Sequence, residues 1–346
     1  MLKSVLVLMM IGLIMVSCST QPENPLLTTW DTPYGVPPFE QVEEQHFLPA
    51  FKEAMNEQKS EIEAIVNNSE APTFENTIAA LDYSGERLHR IELLFYNLNS
   101  ANTNDTIQGI AKEVSPLRSK HYDDINLNPQ LFERVKAVHE QKDELDLDVE
   151  QQTLLEDTYK SFVRNGANLP DAEKEELRKI NEQLSMLTLN FGQNVLAETN
   201  DFILVIEYSA VLLGLPQWLI DQAAEAAEEN DKPGAWVFTL HKPSWIPFLQ
   251  YSPKRDLREK LYTAWMHIGD NNNEHDNKDI IKDIVSLRVK RANVLGYDSH
   301  ADYVLENNMA KNAENVFNLL DQLWTPALNR AKAEAYDMQK LIDSSD

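Results

Sequence analysis

The chain has 346 residues, with 31 Lys and Arg against 56 Asp and Glu, which gives a formal net charge of -25. A surface this acidic repels nucleic-acid phosphates and anionic membrane headgroups, so we expect no nucleic-acid partner. Only 10 glycines in this length disfavour an all-β fold with many tight turns. The length is sufficient for about two domains or one large helical assembly.

The first residues have the features of a secretory signal. Lys3 supplies a positive charge, and residues 5–16 form an apolar run that is too short to be read as a membrane-spanning helix. The stretch Met15-Val16-Ser17-Cys18 resembles a bacterial lipobox. We therefore predict that residues 1–17 are a lipoprotein signal peptide and that Cys18 becomes a lipid-modified N terminus. The alternative is an apolar cysteine within a cleaved signal peptide.

Cys18 is the only cysteine of the chain, so an internal disulfide and a cysteine-based metal site are excluded. In enteric bacteria an Asp after the lipidated cysteine retains lipoproteins at the inner membrane, and Ser19 stands there instead. By that analogy we expect the protein in the bacterial cell envelope, held by its lipid to the outer membrane and facing the periplasm. Residues 18–38 are predicted to be a tether and a turn-rich loop.

Apolar residues at intervals of three and four predict that residues 39–346 are mainly helical. Thr73 is a natural N-cap, with Glu75 in the following first turn. After a short turn at residues 39–45, helices are predicted at residues 49–67, 73–99, 105–122, 128–141, 148–165, from 171 onward, at 217–229, after 253, at 281–295, from 299 and at 313–342. The helix from Asp171 has a packing seam of Leu177, Ile180, Leu184, Leu187 and Phe191.

Two short apolar runs, residues 202–206 and 236–240, have the composition of strands and are expected to pair as a small hairpin or sheet. Pro243 and Pro247 predict a loop after the second strand. Ser252 and Pro253 then predict an N-cap and first position of the next helix. The polar residues 270–277 predict a loop, and they lack the ligand spacing of a calcium-binding EF-hand.

The last part of the chain contains clear signals for the ends and starts of helices. Gly296 predicts a helix end, and Ser299 with Asp302 predicts a capping box for the next helix. His300 is therefore interpreted as a surface position, and Arg288 and Arg291 as partners in structural ion pairs. The helix at residues 313–342 is strongly amphipathic and needs a partner surface.

Several separated segments resemble the zinc oligopeptidases of the thimet oligopeptidase family, M3, and within it the bacterial peptidyl-dipeptidases. They are L-L-T-T-W-D-T-P-Y-G-V-P-P-F at residues 26–39, P-T-F-E-N-T-I-A-A-L-D at 72–82, T-L-H-K-P-S-W-I-P-F at 239–248, R-D-L-R-E-K-L-Y at 255–262 and R-A-N-V-L-G-Y-D-S-H-A-D-Y at 291–303. The resemblance runs from about residue 25 to the end of the chain.

The resemblance implies a multi-helix lobe of a thimet oligopeptidase- or neurolysin-like metallopeptidase, beside a channel that admits short unfolded peptides. It also implies a zinc cofactor and hydrolysis that releases dipeptides from peptide C termini. The family's catalytic signature is H-E-x-x-H on a helix, with two zinc-binding imidazoles and a general base. None of the eight histidines is followed by a second one four residues later. The nearest sequence, from His139 to Asp143, is interpreted as a solvated helix face.

We therefore expect residues 39–346 to be the N-terminal region of such a peptidase, with no catalytic residue and no zinc ligand of its own. The missing catalytic half would lie in the same or in a separate chain, and this chain alone would be inactive. The alternative is a non-catalytic peptide-binding or scaffold lipoprotein derived from such a peptidase. A half-enzyme should expose the apolar surface that normally meets the other half.

Overall fold

The computed structural model describes residues 24–344 of the protein. This part of the chain is mainly helical and has one two-stranded antiparallel sheet, as the sequence predicts. It forms two compact units, which divide between Val114 and Ser115. Within residues 24–344 no helix is both long enough and apolar enough to span a bilayer. The predicted signal peptide and Cys18 lie outside the described residues.

The first unit is built around helix α1. Phe47 and Phe51 on α1 meet Phe95 edge to face, with ring centroids 5.1 and 5.3 Å apart. The elements are 3₁₀ turns at Pro33–Gly35 and Glu44–His46, α1 (Phe47–Val66), a π-helical turn (Phe74–Ala79), α2 (Ala80–Tyr83), α3 (Glu86–Ala101) and the first part of α4 (Asp105–Asn126).

The single helix predicted for residues 73–99 is wrong, although its start is confirmed. Thr73 caps the π-helical turn, since its hydroxyl accepts from the Asn76 N–H at 3.1 Å. The chain then breaks at Gly85, which has φ 76°. The Gly85 N–H donates to Glu61 Oε2 on α1 at 2.8 Å. A left-handed residue ends α2 and turns the chain into α3.

The second unit continues α4 and contains the remaining elements. Asn128 and Asp148, where the sequence places the starts of two helices, cap α5 and α6, because their side chains accept from free N–H groups of the first turns. The elements are α5 (Pro129–Glu140), α6 (Val149–Arg164), α7 (Asp171–Asp201), β1 (Ile203–Ile206), a 3₁₀ turn (Ser209–Leu212), α8 (Gln217–Glu229), β2 (Trp236–Thr239), α9 (Lys242–Tyr251), α10 (Arg255–Met266), α11 (Lys278–Val294), α12 (His300–Leu305) and α13 (Ala313–Asp343).

The two predicted strands pair, with Ile203 opposite Thr239 and Ile206 opposite Trp236. The loop predicted after β2 is wrong, because residues 242–251 form helix α9. Pro243 lies in the first turn, where its missing N–H has no helical partner, and Pro247 removes only one bond further on. Burial of Trp245 and Phe248 against the sheet offsets that loss.

Helix α10 begins later than predicted. Ser252 ends α9, and its hydroxyl accepts from the Lys254 N–H at 3.2 Å, before α10 starts at Arg255. The Ser252-Pro253 pair therefore forms the turn between two helices. It does not cap the second one.

Helices α7 and α11 run antiparallel along each other. Asn194 Nδ2 donates to Asn277 Oδ1 at 3.0 Å at one end. At the other end, Leu177 and Leu295 lie around Gly166. The predicted seam of α7 is buried only at Leu177 and Ile180. Its later residues are half-buried or exposed, so one broad face of this helix pair stays open.

The predicted end of α11 is confirmed. Gly296 has φ 83°, the Tyr297 N–H donates to Ala292 O at 2.9 Å, and the Gly296 N–H donates to Asn293 O at 3.0 Å. These two bonds form a Schellman motif.

Candidate functional site

Histidine and carboxylate side chains do not converge on a metal centre in the described part of the chain. Within residues 24–344 no group of three or more His, Cys, Asp or Glu is placed to hold a metal ion. The donors present there therefore do not fit the catalytic zinc that the family resemblance implies.

His139, which stands in the sequence nearest to the zinc signature, has a structural role. Its Nε2 lies 2.8 Å from Glu156 Oε2, and its ring stacks on Tyr159 with centroids 3.8 Å apart. The His139 side chain is only 16% exposed, which departs from the predicted solvated face, whereas residues 140–143 are exposed as predicted. Both the ring and its carboxylate partner are engaged in joining α5 to α6.

Glu156 is the central residue of this contact between α5 and α6. The hydrogen bond with His139 is the largest cause that lowers the pKa of Glu156, to about 2. Lys142 and Lys160, at 3.2 and 3.4 Å, lower it further, while burial acts in the opposite direction. A carboxylate held ionised by cationic neighbours is suited to an ion-pair network and not to proton transfer.

The polar loop at residues 270–277 is organised by Glu198 of α7, a residue that sequence patterns did not single out. The buried Glu198 carboxylate accepts from the Gly269 N–H, from Asn271 Nδ2 at 2.9 Å and from Asn273 Nδ2 at 2.6 Å. These donors are amides, so this loop is pinned by hydrogen bonds to a carboxylate.

The segment at residues 291–303, one of the family-like motifs, forms a packing joint. Arg164 lies over the ring of Tyr303 at 4.6 Å, donates to the Tyr303 carbonyl oxygen at 2.6 Å and pairs with Glu306. Arg291 lies over the same ring and donates to Tyr303 Oη at 3.0 Å. The carboxylate partner predicted for Arg291 is thus replaced by a tyrosine, and the ion pair is made by Arg164.

His300 is half-buried next to this joint, not at the open surface that the sequence predicts. Burial is the largest cause that lowers its pKa, and Arg288 and Arg291 lower it further. The imidazole is therefore neutral at physiological pH and adds no positive charge to the cluster.

The most extensive candidate site is an open apolar surface, which we define as the apolar residues of α13 and a stripe on α11. No residue of α13 is buried. Nine of its large apolar residues are at least 49% exposed, namely Phe317, Leu319, Leu320, Leu323, Trp324, Tyr336, Met338, Leu341 and Ile342. Exposure of this extent marks a surface for interaction, as the amphipathic pattern of this helix predicts.

On α11 the exposed stripe consists of Ile281, Val285 and Val289, which recur at every fourth position. The helical spacing of Ile281 and Ile284 predicts both side chains on the buried face, but only Ile284 is buried and Ile281 is exposed. Three exposed β-branched residues in one row on a helix also need a partner surface.

Concave sites also occur among the described residues of the second unit. One lies between α9 and α10, with Arg255 and Tyr262 in its wall. Another lies between α4 and α7 and includes Asp123. Asp123 is only 8% exposed and accepts from Asn181 Nδ2 at 2.8 Å. Burial is the largest cause that raises the pKa of Asp123, to about 6, while Asn181 and Arg178 act against it.

Comparison with known proteins gives the class of protein to which these features belong. A family model described as peptidase family M3 matches residues 248–345. The chain is 35% identical over 320 residues to dipeptidyl carboxypeptidase of Escherichia coli, an alignment that covers 92% of this chain and 47% of the relative. It is 28% identical to oligopeptidase A of Haemophilus influenzae, with 91% of this chain and 46% of the relative covered.

The chain therefore belongs to peptidase family M3, and the family resemblance of its motifs is confirmed. It spans about half the length of the curated relatives that it matches. The segment matched by the family model contains α10, α11, α12 and α13, and so includes the whole open apolar surface.

Proposed function

We propose that this chain is the N-terminal portion of a zinc peptidase that hydrolyses short unfolded peptides and releases dipeptides from their C termini. The observation that carries the proposal is the 35% identity, over 92% of this chain, to a relative named dipeptidyl carboxypeptidase. The order of the family-like motifs along the sequence supports the same conclusion.

In this proposal the zinc and the H-E-x-x-H helix belong to a catalytic half in the same or in a separate chain. The present residues form a helical lobe that supports the peptide channel. The open apolar surface of α11 and α13 is where we place the contact with the catalytic half. Covering nine large side chains of α13 would remove from water an apolar area typical of a stable interface.

We further propose that the protein is a lipoprotein anchored through Cys18 to the outer membrane and facing the periplasm. The sequence of residues 1–19 supports this location. The alternative function, a peptide-binding or scaffold lipoprotein without catalysis, requires another partner to cover α13.

The test is to capture the protein from its own cells with antibodies against the folded region and to measure its intact mass. A mass far above that of residues 18–346, together with chelator-sensitive release of C-terminal dipeptides from a short peptide, supports a catalytic half in the same chain. A mass equal to residues 18–346 plus lipid, with co-captured zinc peptidase activity, supports a separate chain. Absence of dipeptide release, whichever mass is found, contradicts the proposed function.

For the isolated 346-residue polypeptide we expect less than about 0.1 zinc per chain and no peptide hydrolysis, because the described residues offer no cluster of zinc donors. Metal analysis after gel filtration in zinc-containing buffer measures the first, and mass spectrometry of a short peptide measures the second. One tightly held zinc per chain would contradict the assignment of the metal site to the other half.

A further inference from the structure

The cavity between α9 and α10 has the lining of a ligand site. Its volume is about 400 Å³, and its wall is formed by Leu249, Arg255, Arg258, Glu259 and Tyr262. This volume lies within the range of small-molecule sites, which combine apolar walls with a few polar groups.

The polar groups of the wall are presented by one face of α10. Positions 255, 258, 259 and 262 follow the spacing i, i+3, i+4 and i+7, which aligns side chains on one side of a helix. Arg258 is held in place, since its Nη1 donates to the Ser252 carbonyl oxygen at 2.6 Å. The wall therefore has one positioned guanidinium beside a second, exposed one at Arg255.

The charges of this wall are open to a ligand. Among the ion pairs found within residues 24–344, none involves Arg255 or Glu259. Residues 254–262 carry four basic and two acidic side chains in a chain of net charge -25. A locally positive wall that also presents one carboxylate suits a ligand with both charges.

We propose that this cavity binds the zwitterion of a dipeptide. Arg255 and Arg258 bind its carboxylate, since guanidinium groups match carboxylates with paired hydrogen bonds. Glu259 binds the ammonium group, and a side chain of the ligand packs on Tyr262 and Leu249.

The spacing of the two positions on α10 favours a dipeptide over a single amino acid. Arg255 and Glu259 are four residues apart, which is about 6 Å along a helix. The two charged ends of an extended dipeptide are separated by roughly two residue lengths, about 7 Å. In a single amino acid the two groups are attached to one carbon, so Arg255 and Glu259 would both have to bend towards the same point to reach them.

The site lies on this chain and needs neither zinc nor the catalytic half, so it goes beyond the proposed function. The test is calorimetric titration of the 346-residue polypeptide with Gly-Phe, N-acetyl-Gly-Phe, Gly-Phe amide and free Phe. We expect saturable binding of Gly-Phe with a Kd on the order of 1 mM. Blocking either end should weaken binding about tenfold, because each block removes one charge-assisted contact.

Variants assign each contact to its residue. Arg255→Gln should reduce the preference for Gly-Phe over its amide, since Arg258 remains, and Glu259→Gln should abolish the preference over the N-acetylated form. Lys260→Gln is the matched control, because Lys260 is exposed on the same helix but does not line the cavity. It should leave both preferences unchanged.

No saturable binding of Gly-Phe up to about ten times the expected Kd would overturn the proposal. Equal binding of the four ligands would do so as well, and so would an equal loss in the Lys260→Gln control. Because the titration involves no hydrolysis, such a result would leave the proposed peptidase function standing. Conversely, a protein without peptidase activity that still binds Gly-Phe would retain this site.

Discussion

Asp123 shows how a single buried acid couples the stability of the second unit to pH. Its folded-state pKa is raised to about 6 from an ordinary value of 3.8, mainly by burial. The folded protein thus holds the proton more tightly than the unfolded chain. The resulting contribution to stability is fully present below about pH 4 and is lost as the pH rises through about 6.

We expect Asp123→Asn to stabilise the protein at pH 7.5 by up to about 3 kcal/mol, because it removes the cost of a buried charge. The amide oxygen of the new side chain can still accept the bond from Asn181. Near pH 4 the two proteins should have the same free energy of unfolding. Urea denaturation at both pH values, followed by circular dichroism, measures the difference.

Asp124→Asn is the control, because this neighbouring carboxylate is exposed and pairs with Arg178 at 2.7 Å. Its loss should change stability by less than about 1 kcal/mol. If Asp123→Asn gives no gain at pH 7.5, the carboxyl group is better solvated than its burial indicates.

Residue roles could be predicted from the sequence where the partners are close along the chain. The caps at Thr73, Asn128 and Asp148 follow from side chains that bond to N–H groups at most three residues away. Asp123 and Glu198 could not be recognised in this way. The bonds that define them come from Asn181 and Gly269, which are 58 and 71 residues away.

The sequence predicts well which segments are helical, but it predicts less well where a helix is interrupted. Ile78, Leu81, Leu88 and Ile91 keep a helical spacing across Gly85, so the pattern predicts one helix where the structure has two. The break depends on the Glu61 carboxylate of another helix, which accepts from the Gly85 N–H. The spacing of apolar residues along the sequence gives no information about that contact.

Two separate substitutions, Gly85→Ala and Gly109→Ala, test the break between α2 and α3. Gly85→Ala should destabilise the first unit by about 1–3 kcal/mol, because its φ of 76° disfavours a side chain. A Cβ there would also clash with the Gln58 side chain. Gly109→Ala, within α4, should instead stabilise by about 0.5–1 kcal/mol. The added Cβ at Gly109 meets no atom within 4 Å.

Thermal unfolding of the two variants under the same conditions measures both effects. Opposite shifts of the melting temperature are expected. Equal shifts would mean that Gly85 can leave its left-handed conformation without loss, and the continuous helix predicted from the sequence would then be accessible.

At the scale of the whole molecule, the sequence predicts the helical class, the paired strands and an apolar helix in need of a partner. The amphipathic pattern of α13 is sufficient for that last prediction because it depends on one element only. The cavity between α9 and α10 could not be predicted from the sequence. The prolines of α9 predict a loop there, and the wall exists only because α9 is a helix that turns at Ser252 into α10.

Substitution of two leucines in the second unit, one buried and one exposed, tests whether a partner covers α13. Leu261 on α10 is 0% exposed, whereas Leu323 on α13 is 55% exposed. In the 346-residue polypeptide, Leu261→Ala should cost about 2–5 kcal/mol through lost burial and a cavity. Leu323→Ala should change the free energy of unfolding by less than about 0.5 kcal/mol. Urea unfolding monitored by tryptophan fluorescence compares the two variants.

The same substitutions made in the protein of the source cells test the coverage of α13. If a catalytic half packs on the open apolar surface, the cost of Leu323→Ala should rise towards that of Leu261→Ala, because the side chain is then buried. If the cost is already high in the 346-residue polypeptide, α13 is covered there too, and sedimentation velocity distinguishes a second copy from intramolecular packing. A low cost in both proteins would contradict α13 as the contact with the catalytic half.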